Sequence, residues 1–438
     1  MRLTVAPGRP LRGALSLPGD KSMSHRAALL AALADGESLI DNFLVAGVTR
    51  AMLKALSGIG VDWELDGNRL RVSGRGPVGL AEPMGPLDCG NSGTTMRLLA
   101  GALAGAGVPA ILDGSPGLRR RPMTRIVEPL RRMGVAIDST PEGTAPLDLG
   151  PRATGTRLRG TDHALRVASA QVKSAILLAA LEADGPTTVR EPSRSRDHTE
   201  RMLAAMGAGV DRNDAAGTVT LSPTGTPLAP LTTELPGDVS SAAFVLVAGA
   251  MVPGSEIVLR NVGMNPTRVG LVEVLQRMGA DLRIANERVC SGEPVADLTV
   301  RGSRLRATKV SGETVVRMID EFPAFAVAAA VADGTTEVCD AAELRRKESD
   351  RISVLCRELA SVGVAVEERP DGFSVRGGSA GAGGLVRSHG DHRIAMALAL
   401  SGLVSGEPVT VEDAEIITES FPEFVELLRS IGADVESR

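Results

Sequence analysis

Tyrosine does not occur in this sequence, tryptophan occurs once and phenylalanine seven times, so aromatic residues make up only 2% of the 438 residues. That scarcity removes the platforms on which single-stranded nucleic acids stack. It leaves Ala, Val, Leu, Ile and Met to build the core, which predicts closely packed Ala-rich helices rather than aromatic clusters. A basic surplus is also missing: the formal net charge is −5, which argues against a nucleic-acid partner. The four cysteines, Cys89, Cys290, Cys339 and Cys356, form no CxxC pair. In so long a chain they read as reduced thiols, not a disulfide framework. The start of the chain lacks the apolar run of a signal peptide. The longest apolar stretch, Ala242 to Val252, falls short of the roughly 20 residues a spanning helix needs. A cytoplasmic protein without a membrane partner is expected. The phosphate-loop consensus GxxxxGK[ST] is absent, so nucleotide binding has little support. The histidines show no metal-ligand spacing, and no metal or cofactor is expected.

What the sequence does contain is repetition. An amphipathic helix ending in Gly and followed by a short strand recurs six times, at Gly60, Gly134, Gly207, Gly279, Gly363 and Gly432. The spacing is roughly 70 to 85 residues, and each Gly fits a left-handed helix terminus. In the same rhythm recurs a helix that is apolar on nearly all sides, as in RAALLAALADG and SAILLAALEADG, and such helices are buried. Each unit reads as strand, buried helix, strand, amphipathic helix and strand. One unit cannot cover its own helix, so three must close around a shared core. The expected fold is α/β (α+β), with two pseudo-threefold domains. The turns Pro18-Gly19-Asp20 and Pro236-Gly237-Asp238 mark the division. Residues 1–19 with 236–438 would form a discontinuous domain, and 20–235 a continuous one.

Polar chemistry collects where the buried helices start: PGDKSMSHR, CGNSGTTMR, ASAQVKS, PGDVSS, IDEFP and HGDHR. Ser, Asn and Asp there are ordinary N-caps. Repeated cations one or two places later, on helix ends that already favour anions, point instead to phosphate or carboxylate ligands. Three further segments are densely charged. DGSPGLRRRPM carries three consecutive arginines. In SRSRDHTERM, capping explains Asp197 and leaves Arg194 and Arg196 over. In ELRRKESDRIS, Lys347 and Arg351 would share a helical face, with Glu348 beside them.

Taken in order, PGDKSMSHRAALLAAL, GNSGTTMRLL, SAQVKSAILLAAL, ELRRKESDRI and GDHRIAMALAL resemble the 5-enolpyruvylshikimate-3-phosphate synthases, nearly end to end. SAQVK, RDHTE and NPTR are similar to the family's second sequence class, which includes members less sensitive to glyphosate. The resemblance implies three βαβαββ units per domain, an inverse α/β-barrel arrangement, and an active site in the cleft between domains. It implies transfer of the enolpyruvyl group of phosphoenolpyruvate to the 5-hydroxyl of shikimate 3-phosphate, by a monomer without cofactor. Lys21 would contact phosphoenolpyruvate and join in catalysis. Ser22, Arg26 and Arg196 would hold shikimate 3-phosphate, and Ser169, Ala170 and Gln171 would contact its phosphate and the second substrate. Gly93 would line the phosphoenolpyruvate pocket, and Arg121 would bind its phosphate. Asp320 would take the proton of the attacking hydroxyl, Lys347 would support that hydroxyl, and Glu348 would serve the methylene carbon. Arg351 and Arg393 would clamp phosphoenolpyruvate, with His392 nearby.

Two positions depart from the family pattern. Where many members carry a Lys shortly before a C-terminal Phe-Pro, this chain reads Thr418-Glu419-Ser420-Phe421-Pro422, and Glu343 replaces an Asn found in some. The enolpyruvyl transferases acting on a UDP-sugar share the fold and reaction, but usually carry a reactive Cys where Asp113–Met123 has none. A non-catalytic anion-binding protein built on the same repeats would need the helix-end cations but not Asp320 and Glu348.

Overall fold

The computed structural model describes residues 1–378 and 381–438. The chain divides into two units, one of Met1–Pro18 with Pro236–Arg438 and the other of Gly19–Leu235. Among the described residues each contains three four-stranded sheets, and these six sheets follow one plan.

In the sheet ordered Leu87–Asp88, Ala110–Asp113, Leu147–Leu149, Ile137–Asp138, the first pair is parallel and the other two are antiparallel. The parallel pair is joined through the buried helix Gly93–Ala106, and the helix Thr124–Arg132 leads into the closing hairpin. This is a βαβαββ unit. The sequence pattern shows one strand after each amphipathic helix. The structure adds the second, which inserts between its predecessor and the parallel pair.

Three sheets borrow a strand from a distant stretch of chain. Thr232–Glu234 completes the sheet of Asp35–Asp41, and Arg12–Ser16 completes that of Glu256–Gly263. Leu3–Ala6 lies between Val409–Glu412 and Asp434–Ser437. The chain ends of each unit are thereby stitched into its sheets.

The six buried helices are Lys21–Leu33, Gly93–Ala106, Ala170–Ala180, Val239–Met251, Phe322–Val331 and His392–Ser401. Five are capped at the N-terminus by the side chains of Asp20, Ser92, Ser169, Asp238 and Asp391. The sixth starts Phe322-Pro323, where proline has no N–H to leave unsatisfied. All six repeat glycines have φ between 82° and 96°. Each stands one residue beyond the cap, the C′ position that left-handed backbone reserves for Gly.

The cores are mainly aliphatic and Ala-rich, but the expected absence of aromatic clusters does not hold. Phe244, Phe421 and Phe424 meet edge to face, as do Phe322, Phe325 and Phe373. The few phenylalanines are concentrated in one unit, so a low overall content still yields local clusters.

Small residues set the helix spacing in Gly19–Leu235. A Cβ on Gly101 would lie 2.2 Å from the Ala175 carbonyl oxygen of the neighbouring buried helix. In an open helix, Gly→Ala stabilises by roughly 0.5–1 kcal/mol. Here the added methyl must push backbone apart, and such overpacking costs about 1–3 kcal/mol. Gly101→Ala is therefore expected to lower the urea midpoint of this unit. A raised midpoint would show that the helices can separate freely.

Candidate active site

In the Gly19–Leu235 unit, the N-terminal ends of all three buried helices meet. Asp20 fixes the first by accepting from the Met23 amide at 2.9 Å, so Lys21 and Ser22 fall in its first turn. His25, one turn on, donates from Nδ1 to the Lys21 carbonyl at 2.8 Å and accepts at Nε2 from the Ser92 hydroxyl at 3.0 Å. Burial, with the nearby Lys21 and Arg26 charges, pushes its pKa down to about 4. The neutral ring therefore links the first helix to the cap of the second.

The second and third helices are tied by Arg97, which donates to the Gln171 amide oxygen and to the Pro122 carbonyl. Gln171 in turn donates to the Thr94 hydroxyl at 2.8 Å. Gly93 opens the second helix between two guanidinium groups. A Cβ there would stand 2.8 Å from Arg97 Nη1 and 2.9 Å from Arg121 Nη1. The missing side chain is what lets both cations approach this helix end. Ser169 caps the third helix, and Ala170 and Gln171 are its first two residues.

Arg26 is buried and crosses to the third repeat. It donates to the Thr199 hydroxyl at 2.7 Å, the Ser174 hydroxyl at 2.9 Å and the Ser22 carbonyl at 3.0 Å. Arg196 donates to the Ser22 hydroxyl at 2.9 Å. Thus Lys21, Ser22, Arg26, Gly93, Arg121, Ser169, Ala170, Gln171 and Arg196 are gathered at the convergent helix ends.

The other unit assembles Asp320, Lys347, Glu348, Arg351, His392 and Arg393. Lys347 and Glu348 are not helical: they occupy the turn between the 3₁₀ segment Ala342–Arg346 and the helix Arg351–Ser361. The shared helical face expected for Lys347 and Arg351 is therefore wrong. The capping Asp350 starts the helix one residue before Arg351.

Arg351 is the centre of this group, at 1% exposure. It donates to Asp391 at 2.8 Å, to Glu348 at 2.6 Å and to Asp320 at 3.3 Å. Burial opposes its charge, but the carboxylates of Asp391, Glu348 and Asp320 outweigh that and raise its pKa. Burial likewise opposes the Asp391 charge, and Arg351 overcomes it and holds the carboxyl below its ordinary range. Lys347 Nζ lies 3.1 Å from Asp320 Oδ1, and Arg393 donates to the Asp320 carbonyl at 3.2 Å. His392 and Arg393 open the last buried helix.

Several residues escaped the sequence reading of the site. Asp391 was visible in GDHR only as a cap, yet it also accepts from Arg351 and from Ser349. Arg97 had the right signal, a cation just after a helix start. Capping explains Asp197 in the sequence, but its side chain makes no capping hydrogen bond. It instead pairs with Arg194, Arg201 and Arg212.

Against known proteins, the family model for EPSP synthase (3-phosphoshikimate 1-carboxyvinyltransferase) matches residues 5–428. The 3-phosphoshikimate 1-carboxyvinyltransferase of Pelotomaculum thermopropionicum is 50% identical over 438 residues, covering 99% of this chain and 100% of the relative. That of Geobacter metallireducens is 48% identical over 431 residues, covering 98% and 99%. The solved EPSP synthase from Acinetobacter baumannii matches with a TM-score of 0.87 at 41% identity, covering 100% of both chains. Repeat plan, convergent helix ends and full-length similarity agree, and the chain belongs to the EPSP synthase family.

Proposed function

We propose that this chain transfers the enolpyruvyl group of phosphoenolpyruvate to the 5-hydroxyl of shikimate 3-phosphate, releasing inorganic phosphate. The observation that carries the reading is the gathering of guanidinium groups around Gly93 and Ser22 at helix N-termini, where phosphates bind. The acid–base residues on the other unit supply what a mere anion binder would not need. Asp113–Met123 contains no Cys, which disfavours the UDP-sugar transferases. No helix among the described residues is long and apolar enough to cross a membrane, as suits water-soluble substrates.

The chemistry assigns the roles. The methylene carbon of phosphoenolpyruvate gains a proton as the hydroxyl oxygen attacks the neighbouring carbon. The resulting tetrahedral intermediate then loses phosphate and a methyl proton. Two phosphates and two carboxylates require cations, and Arg binds such anions through paired donors. Arg26, Ser22 and Arg196, with Ser169, Ala170 and Gln171, hold shikimate 3-phosphate. Lys21, Arg121, Arg351 and Arg393 take phosphoenolpyruvate, and His392 stands beside Arg393. Asp320 receives the hydroxyl proton, with Lys347 next to it. Glu348 serves the methylene carbon. Arg351 carries positive charge to this group and orients Glu348 and Asp320 by holding both.

Release of phosphate requiring both substrates is the direct assay, and no release with both present would overturn the reading. Glu348→Gln keeps the size of the side chain but removes the exchangeable carboxyl proton. It is expected to bind both substrates and turn over about 10²–10⁴-fold more slowly. Near-normal turnover would move the role to Lys21 or Asp320.

Arg121→Ala removes a charge-assisted contact of about 1.5–3 kcal/mol. The Michaelis constant for phosphoenolpyruvate should rise far more than that for shikimate 3-phosphate. Equal rises would make Arg121 a general electrostatic residue.

Gly93→Ala tests the pocket through glyphosate, which by family resemblance occupies the phosphoenolpyruvate site and extends towards this glycine. The new methyl must displace the Arg97 and Arg121 guanidinium groups. Glyphosate inhibition should weaken by at least about tenfold, or 1.4 kcal/mol, and by more than phosphoenolpyruvate binding. An unchanged inhibition constant would remove Gly93 from the pocket.

A further inference from the structure

Arg196 sits on the irregular segment between the strand Thr187–Arg190 and the helix His198–Ala205. Such a segment does not by itself hold a long side chain in one place. Its neighbour Glu191 offers the restraint. The Glu191 backbone is anchored by its N–H to the Gly217 carbonyl at 3.1 Å, where the strand leaves its sheet. Its side chain is 6% exposed and accepts from Lys173 Nζ at 2.6 Å. It also folds back along the segment, accepting from the Ser195 hydroxyl at 2.5 Å and the Ser195 amide at 3.4 Å. The restrained residue, Ser195, directly precedes Arg196, whose guanidinium donates to the Ser22 hydroxyl at 2.9 Å.

Lys173 extends the restraint. It lies on the third buried helix and pairs also with Glu200 at 2.8 Å. Burial opposes its charge, but Glu200 and Glu191 outweigh that and raise its pKa, so it remains a cation. Glu200 follows Thr199, which accepts from Arg26. A single buried ammonium therefore pins both the Arg196 segment and the helix that supports Arg26 to one rigid element. Glu191, the carboxylate that Lys173 shares with Ser195, has no counterpart in the roles assigned above.

We infer that Glu191 is a positioning residue for shikimate 3-phosphate: with Lys173 it clamps Ser195 and so fixes Arg196 beside Ser22. This inference rests on the proposed reading of Ser22, Arg26 and Arg196 as the shikimate 3-phosphate site. It concerns affinity for one substrate, with no part in the chemical step.

Glu191→Ala is a suitable test because it leaves Lys173 paired with Glu200, so no buried charge is stranded. Fold retention is checked by the thermal transition, with Glu191→Gln as a second variant that keeps the volume. Glu191→Ala should raise the Michaelis constant for shikimate 3-phosphate about tenfold, with that for phosphoenolpyruvate and kcat changed less than about threefold. The decisive measurement is a double-mutant cycle with Arg196→Ala, because residues acting through one another are non-additive. In the Arg196→Ala background, Glu191→Ala should add less than about twofold. A full tenfold additional loss would show that Glu191 acts independently of Arg196 and would overturn the inference. Equal losses for both substrates in Glu191→Ala would overturn it as well, in favour of a general structural role. If Arg196→Ala alone leaves the shikimate 3-phosphate constant unchanged, the underlying site reading fails instead.

Discussion

The buried helix terminus is the constraint on which this structure depends. A helix enclosed on all sides cannot expose its first N–H groups to water, and each such group must find a partner. Side chains of Asp and Ser meet part of that demand at five of the six buried helices. The positive end of the helix dipole remains, and in the Gly19–Leu235 unit three such ends converge. Their contacts are short-range and specific, as in the neutral His25 joining Lys21 to Ser92 and Gln171 joining Arg97 to Thr94. The feature that stabilises the core thus also concentrates positive potential at these converging ends.

The second unit handles charge differently. Instead of gathering guanidinium groups around a glycine, it surrounds one buried arginine with carboxylates. Arg351 could not remain at 1% exposure without them, and removing a partner from such a buried group is costly. Asp391 connects this charge centre to the fold, since the same carboxyl caps the helix carrying His392 and Arg393. Orientation of Glu348 and Asp320 is therefore coupled to helix formation.

Much of this was legible in the amino-acid order. The apolar helices, the six glycines and the polar helix starts obey local rules, and the motif segments carried every residue later found at the two clusters. The misreadings were also local rules, applied where they lost a competition. Helical spacing paired Lys347 with Arg351, but Asp350 caps the helix and leaves Lys347 outside it. Capping propensity claimed Asp197, but arginines near in space took its carboxylate.

Sequence by itself determined the repeat, the burial of one helix per repeat and the identity of the chemical groups. These follow from periodicity and side-chain type within a dozen residues. Only the tertiary structure decided which strand completes each sheet and which donor meets which acceptor. Leu3–Ala6 pairs with Val409–Glu412, and Arg196 meets Ser22 across 174 positions. The physical reason is that a hydrogen bond depends on position to within a fraction of an ångström. Residues so far apart acquire that position only when the intervening helices and sheets have packed.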